Sequence, residues 1–355
     1  MALGCPSAVL AANTKTVAAN DPAIRYVGRT LVSPDNSVSY DWAGTYFETI
    51  LTGGKLSARL SEKGNAYYNV FVDGKEAGVV KTCGTDTVID FVSGIGKAPH
   101  KVRIQKRTEG EFGRTTLHEF ILAKNGSVTP VTDTPKRHIE FIGNSLTCGF
   151  GVDDPDKTHP FKLETENCNH SFSNIIPRYF DADYTLIAHS GQGVVRNYGD
   201  SVRVSKRTMT ERMLNTFDED PDIMWDFKAY KPDLVVINLG SNDFSDPAQP
   251  YKSEFIASFK RMIKNIRDNY GNVPVVTVYS PTVPYPVFDY FEAAVAETGD
   301  PDIHLFKMEP NLFNTDFDYG AVWHPNCSGQ RKMAMSLIPY ISTITGWEMT
   351  TNPVE

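Results

Sequence analysis

Near residue 138 the spacing of the apolar residues changes, and no single sheet or bundle accommodates both patterns. In the segment 24–122 apolar and polar residues alternate in short runs, at 47–51, 56–60, 68–72 and 101–104. Period two is the signature of a strand with one buried face. Asp73-Gly74 stands between the runs 68–72 and 78–80. Both central positions of a tight hairpin must tolerate positive φ, and this pair does. Turn residues recur every eight to twelve positions, and no helical period intervenes. The pattern predicts an all-β sandwich of jelly-roll type over 23–124.

After His138 come near-continuous apolar runs at 139–142, 184–188, 234–239 and 273–279, as in parallel strands buried on both faces. Between the last two, Phe255, Phe259, Met262, Ile263 and Ile266 share one stripe of a helix over 251–270, which Gly271 ends. A final amphipathic helix follows Pro325 and runs through Lys332 to about Ile341. Strand and helix alternate, which predicts a three-layer α/β domain over 138–355. The segment 125–137, with Asn-Gly-Ser, two prolines and several threonines, reads as a linker. The segment 1–22 reads as a flexible start or the remnant of an export signal, although no Lys or Arg precedes its apolar part. Ala2-Leu3-Gly4-Cys5 is similar to a lipoprotein cleavage site.

A chain of 355 residues is long enough for two cores. A net charge of −8 argues against nucleic acid or an anionic membrane as partner, since either needs a basic patch. No stretch reaches the roughly 18 apolar residues that span a bilayer. Five cysteines fit neither a disulfide framework nor a paired zinc site, and a Cys148–Cys168 bridge stays open. The eight histidines lack HxxxH or HxH spacing, so neither a metal nor another cofactor is expected.

Parallel strands deliver the loops that follow them to one sheet edge. Gly143-Asn144-Ser145-Leu146 follows the first strand, His189-Ser190-Gly191-Gln192-Gly193 the second and Gly240-Ser241-Asn242-Asp243 the third, while Trp323-His324-Pro325 precedes the last helix. Together they supply the parts for acyl transfer. Ser145 is the nucleophile and His324 the base that later returns the proton. The N–H groups of Ser145 and Gly191 and the amide of Asn242 are the oxyanion donors. Asp243 braces its loop.

The four motifs resemble blocks I, II, III and V of the SGNH (GDSL-type) hydrolases over roughly 138–345, with Asn144 where block I usually has Asp. A sandwich ahead of such a flavodoxin-like domain, with His-Pro at the histidine, resembles the second family of carbohydrate esterases, the acetyl xylan esterases. SGNH enzymes usually carry Asp three residues before the histidine, where this chain has Ala321. The resemblance therefore implies a Ser–His dyad, with the Val322 carbonyl orienting His324 and Asp318 or Asp316 as the alternatives. It also implies an acetylated polysaccharide such as xylan or glucomannan as substrate, and a secreted or cell-surface location.

Trp323, Tyr198 and Trp225 are the candidate sugar-stacking residues. Two rivals remain at this point. One is a general short-chain esterase or lysophospholipase of the same fold. The other is a carbohydrate-binding protein with a degenerate hydrolase domain.

Overall fold

The computed structural model describes residues 13–283 and 287–355. The leader motif at Ala2-Leu3-Gly4-Cys5 lies outside the described residues. In the first half, ten antiparallel strands join one continuous sheet. Its backbone is a hairpin of two long strands, Lys55–Val72 and Lys75–Ser93. Their turn is the expected Asp73-Gly74, at φ +52 and +78. The runs at 56–60 and 68–72 are thus one bent strand, broken by bulges around Glu62. Gly64 marks the bend at φ +108, where a Cβ would lie 2.1 Å from the Phe112 carbonyl oxygen. Before the bend the strand pairs with Gly113–Ala123, and after it with His100–Lys106. The sheet therefore curls around its own core, which holds Tyr40, Phe47, Leu60, Tyr68, Phe91 and Phe120.

The domain limits differ from those predicted. Thr14–Ala18, read as part of a flexible start, pairs with Gly113–Ala123. Ser127–Thr129, read as linker, pairs with Tyr46–Thr52. The turn closed by Gly126 N–H on the Ala123 carbonyl sends the chain back along the sheet instead of away from it. Composition marked the turn correctly but could not tell that the chain re-enters the sheet.

The second half holds a five-stranded parallel sheet. Its spatial order is Ala182–Ala188, Arg137–Gly143, Leu234–Asn238, Val275–Tyr279 and Ile303–Lys307. The first four are the expected strands. The fifth, Ile-His-Leu-Phe-Lys, escaped notice because an edge strand need not be continuously apolar. Val235 and Ile237 point into a core with the helices Lys252–Tyr270 and Phe288–Ala296. Leu234 and Val236 point into another with the helices Phe172–Phe180 and Cys327–Thr345.

The two halves meet along the edge strand Ala182–Ala188. Gly44, at φ +76, lies so close that a Cβ there would be 2.9 Å from Leu186 Cδ1. The Tyr46 ring stands 5.7 Å from that of Tyr184. Trp42 is wholly buried in a core of the second half, and its Nε1–H donates to the Thr216 carbonyl at 3.0 Å. Arg29, also fully buried, donates to the carbonyls of Met213 and Asn215 and faces Glu140 at 3.4 Å. Cores shared in this way make the halves one cooperative unit. Calorimetry is expected to show a single transition. Trp42→Ala is expected to cost about 3–5 kcal/mol and to lower Tm for both halves together.

Candidate active site

The first strand ends at Gly143, whose position admits no side chain, because a Cβ would lie 2.0 Å from Thr147 Oγ1. Asn144 then caps the single helical turn Ser145–Cys148, its Oδ1 accepting from Leu146 N–H at 3.2 Å. Its amide nitrogen donates to Ser241 Oγ at 3.1 Å, tying the first loop to the third. Ser145 is 6% exposed, and its Oγ is 2.9 Å from His324 Nε2, although 179 residues separate the two in sequence.

His324 Nδ1 lies 3.0 Å from the Val322 carbonyl. A carbonyl only accepts, so Nδ1 carries the ring proton and Nε2 offers a lone pair to the serine hydroxyl. The carbonyl faces inward because Val322 and Trp323 both occupy the left-handed region, at φ +52 and +58. For a β-branched residue that conformation costs on the order of 1–3 kcal/mol. Two bonds hold it, Val322 N–H to the His159 carbonyl and Trp323 N–H to the Lys157 carbonyl.

The alternative orienters are committed elsewhere. Asp318, almost fully buried, accepts from Asn314 N–H and Ser328 Oγ and pairs with Lys332, so it fastens the loop to the last helix. Asp316 is exposed and pairs with Lys157 at 3.7 Å. Burial lowers the pKa of His324 below the ordinary 6.5, outweighing the upward pull of the Val322 and Ala321 main chain. The resting imidazole is neutral, as a base must be.

The second and third loops interlock beside this pair. Gly191 sits at φ +78, a conformation that suits glycine, and its carbonyl accepts from Tyr198 N–H at 2.7 Å. One amide hydrogen of Asn242 goes to the Gln192 carbonyl at 2.8 Å, leaving the other available. Asp243 is fully buried and accepts from the N–H groups of Val194, Val195 and Arg196. Burial nevertheless pushes its pKa up to about 6. It clamps one loop to the other. Arg196, fully buried and not anticipated from sequence, donates to the carbonyls of Val202 and Ser245 and fastens the same junction.

Trp323 (53% exposed) and Tyr198 (70% exposed) flank the site, one beside the base and the other beside Gly191. Trp225 does not join them. Its ring packs near Arg29 and Tyr230, and the Tyr230 hydroxyl reaches Glu140 in the body of the first strand, so Trp225 is a packing residue. Its isolated position in a polar stretch concealed that role. An aromatic stack that the sequence did not reveal borders the histidine instead. Phe150 lies 4.6 Å from the imidazole and 3.8 Å from Phe161, which stacks on Phe112 of the strand-rich half. Cys148 and Cys168 are free buried thiols, and the bridge considered from sequence does not form. Asp153, His170 and Cys327 cluster in space, as do Glu109, Glu111 and His189, with residue types that ligate cations. Within the protein they already form ion pairs, such as His170–Asp153 at 2.6 Å.

Residues 26–131 match the carbohydrate esterase 2 N-terminal family and residues 141–332 the GDSL-like lipase/acylhydrolase family. An acetylxylan esterase / glucomannan deacetylase of Cellvibrio japonicus is 30% identical over 339 residues, covering 90% of each chain. The chain belongs to carbohydrate esterase family 2. A family 2 carbohydrate esterase from Clostridium thermocellum, solved with cellohexaose, superposes with a TM-score of 0.83 at 28% identity. That match covers 92% of this chain and all of the other. The cellulase/esterase CelE of Acetivibrio thermocellus is 28% identical over 342 residues, but this chain spans only 41% of its length. With His324 as the base, its depressed pKa is expected to set the acid limit of activity. The kcat/KM profile is expected to rise with pH and level off, with its midpoint below 6.5. A midpoint above 6.5 would show the imidazole to be stabilised in its charged form.

Proposed function

We propose that this esterase removes acetyl groups from plant polysaccharides such as xylan or glucomannan through a Ser145 acyl-enzyme and a Ser–His dyad. One observation carries the reading: Ser145 Oγ is bonded to His324 Nε2, while His324 Nδ1 is bonded to a main-chain carbonyl. As Oγ attacks the acetyl carbon, Nε2 takes its proton, and the Val322 carbonyl supports the imidazolium that forms. The N–H groups of Ser145 and Gly191 and the free amide hydrogen of Asn242 receive the oxyanion. The imidazolium then protonates the leaving sugar hydroxyl. Water, deprotonated by the same nitrogen, releases acetate and restores the serine. Trp323 and Tyr198 are the sugar platforms in this scheme.

The names of the Cellvibrio japonicus relatives support the substrate class, and the relative solved with cellohexaose supports a glycan ligand. The curled sheet is read as a jelly-roll and the parallel sheet with its helices as a three-layer, flavodoxin-like domain. A secreted or cell-surface location fits a polymeric substrate.

Acetate release from acetylated xylan and glucomannan, measured beside hydrolysis of eight-carbon acyl esters, tests the proposal. Wild type is expected to prefer the acetylated glycans. Preference for the long acyl esters would favour the general esterase or lysophospholipase. Ser145→Ala and His324→Ala are each expected to lose at least ~10³-fold in kcat. Asp318→Ala is expected to lower Tm while keeping most of kcat. Loss of turnover in folded Asp318→Ala would sink the dyad. No turnover on any ester, and no phosphonate adduct on Ser145, would indicate a binding protein.

A further inference from the structure

The second loop, which carries Gly191, is held from outside the parallel-sheet domain. Glu109 lies in the strand-rich half just after the strand His100–Lys106, and it is fully buried. One of its carboxylate oxygens accepts from Ser190 N–H and the other from Ser190 Oγ, each at 2.6 Å. The oxygen that takes the N–H also lies 3.5 Å from Cys148 Sγ, in the helical turn that begins with Ser145. Lys106 Nζ, fully buried, fixes the Glu109 main chain by donating to the carbonyls of Thr108 and Glu109. The Glu166 carboxyl, also fully buried, lies against that of Glu109. Neither Glu166 oxygen has a hydrogen-bond partner. Burial and the neighbouring carboxylate push the Glu166 pKa well up.

A buried carboxylate at a domain seam is costly unless its oxygens are satisfied, and here donors from two active-site loops converge on one group. Fixing both the N–H and the O–H of Ser190 anchors the residue that directly precedes Gly191. The same carboxylate touches the Ser145 turn, so it sets the spacing between the two main-chain donors that flank the substrate carbonyl. We propose that Glu109 is the positioning residue of the oxyanion hole, so that the strand-rich half completes the catalytic site. This rests on the esterase reading above.

Glu109→Gln keeps the shape but offers one acceptor where two donors wait. Its kcat on an acetylated oligosaccharide is expected to fall at least ~10-fold with KM within about two-fold, because the oxyanion forms only in the transition state. Unchanged kcat in folded Glu109→Gln, with only Tm lowered, would reduce Glu109 to a structural group and overturn the proposal. Ser190→Ala, which removes half of the clamp without burying a new charge, serves if Glu109→Gln does not fold. Unchanged kcat there overturns the proposal as well. Wild-type turnover that disappears in Ser145→Ala secures the esterase reading separately, so the two failures are distinguishable.

Discussion

The packing of the strand-rich half against the edge strand Ala182–Ala188 is the contact on which the rest of the molecule depends. An edge strand left open would expose unpaired main-chain groups and apolar side chains. Here Gly44 and Tyr46 cover the side chains of Tyr184 and Leu186, Trp42 is buried in a core of the second half, and Arg29 places a buried cation against Glu140. The contact is unlike a typical tether between domains, which is polar and allows relative motion. It is closer to a single core divided between two sheets.

That arrangement explains why the Ser145–His324 pair can be built on short loops. The turn Ser145–Cys148 has only four residues, too few to be stable alone. It is held by Asn144 toward the third loop and by Gly143 beneath, where no side chain fits. The histidine loop is fixed by the main chain of Lys157 and His159, from the segment after the nucleophile. Each member of the pair is therefore positioned by elements distant in sequence, as a rigid site requires.

Much of this was legible from sequence because two signals agreed. Hydrophobic period separated the halves, and the residues after each predicted strand were those acyl transfer needs. Ser145, Gly191, Asn242 and His324 were all singled out by that coincidence, and the structure brings Ser145 and His324 into hydrogen-bond contact. What was not legible depends on contacts that carry no local pattern. Phe112 and Glu109 lie in a short turn of the strand-rich half and give no periodic signal, yet one joins the aromatic stack beside His324 and the other binds Ser190. Trp225 failed for the converse reason, since a tryptophan in a polar stretch looks the same whether it stacks on a sugar or on a buried arginine. The strand Thr14–Ala18 was missed because its five residues, only partly buried, read as weakly as a disordered leader.

The strained pair Val322-Trp323 has a consequence for how this enzyme can vary. An aspartate that orients a histidine is lost by one side-chain replacement. The carbonyl of Val322 belongs to the main chain, and every amino acid at that position supplies one. The functional information therefore lies in the path of the loop, which is set by its φ angles and its two bonds to the segment containing Lys157 and His159. Inheritance of the imidazole's orientation is spread over several positions, none of which is chemically distinctive. A reader searching only for the missing acid would take this protein for a decayed enzyme.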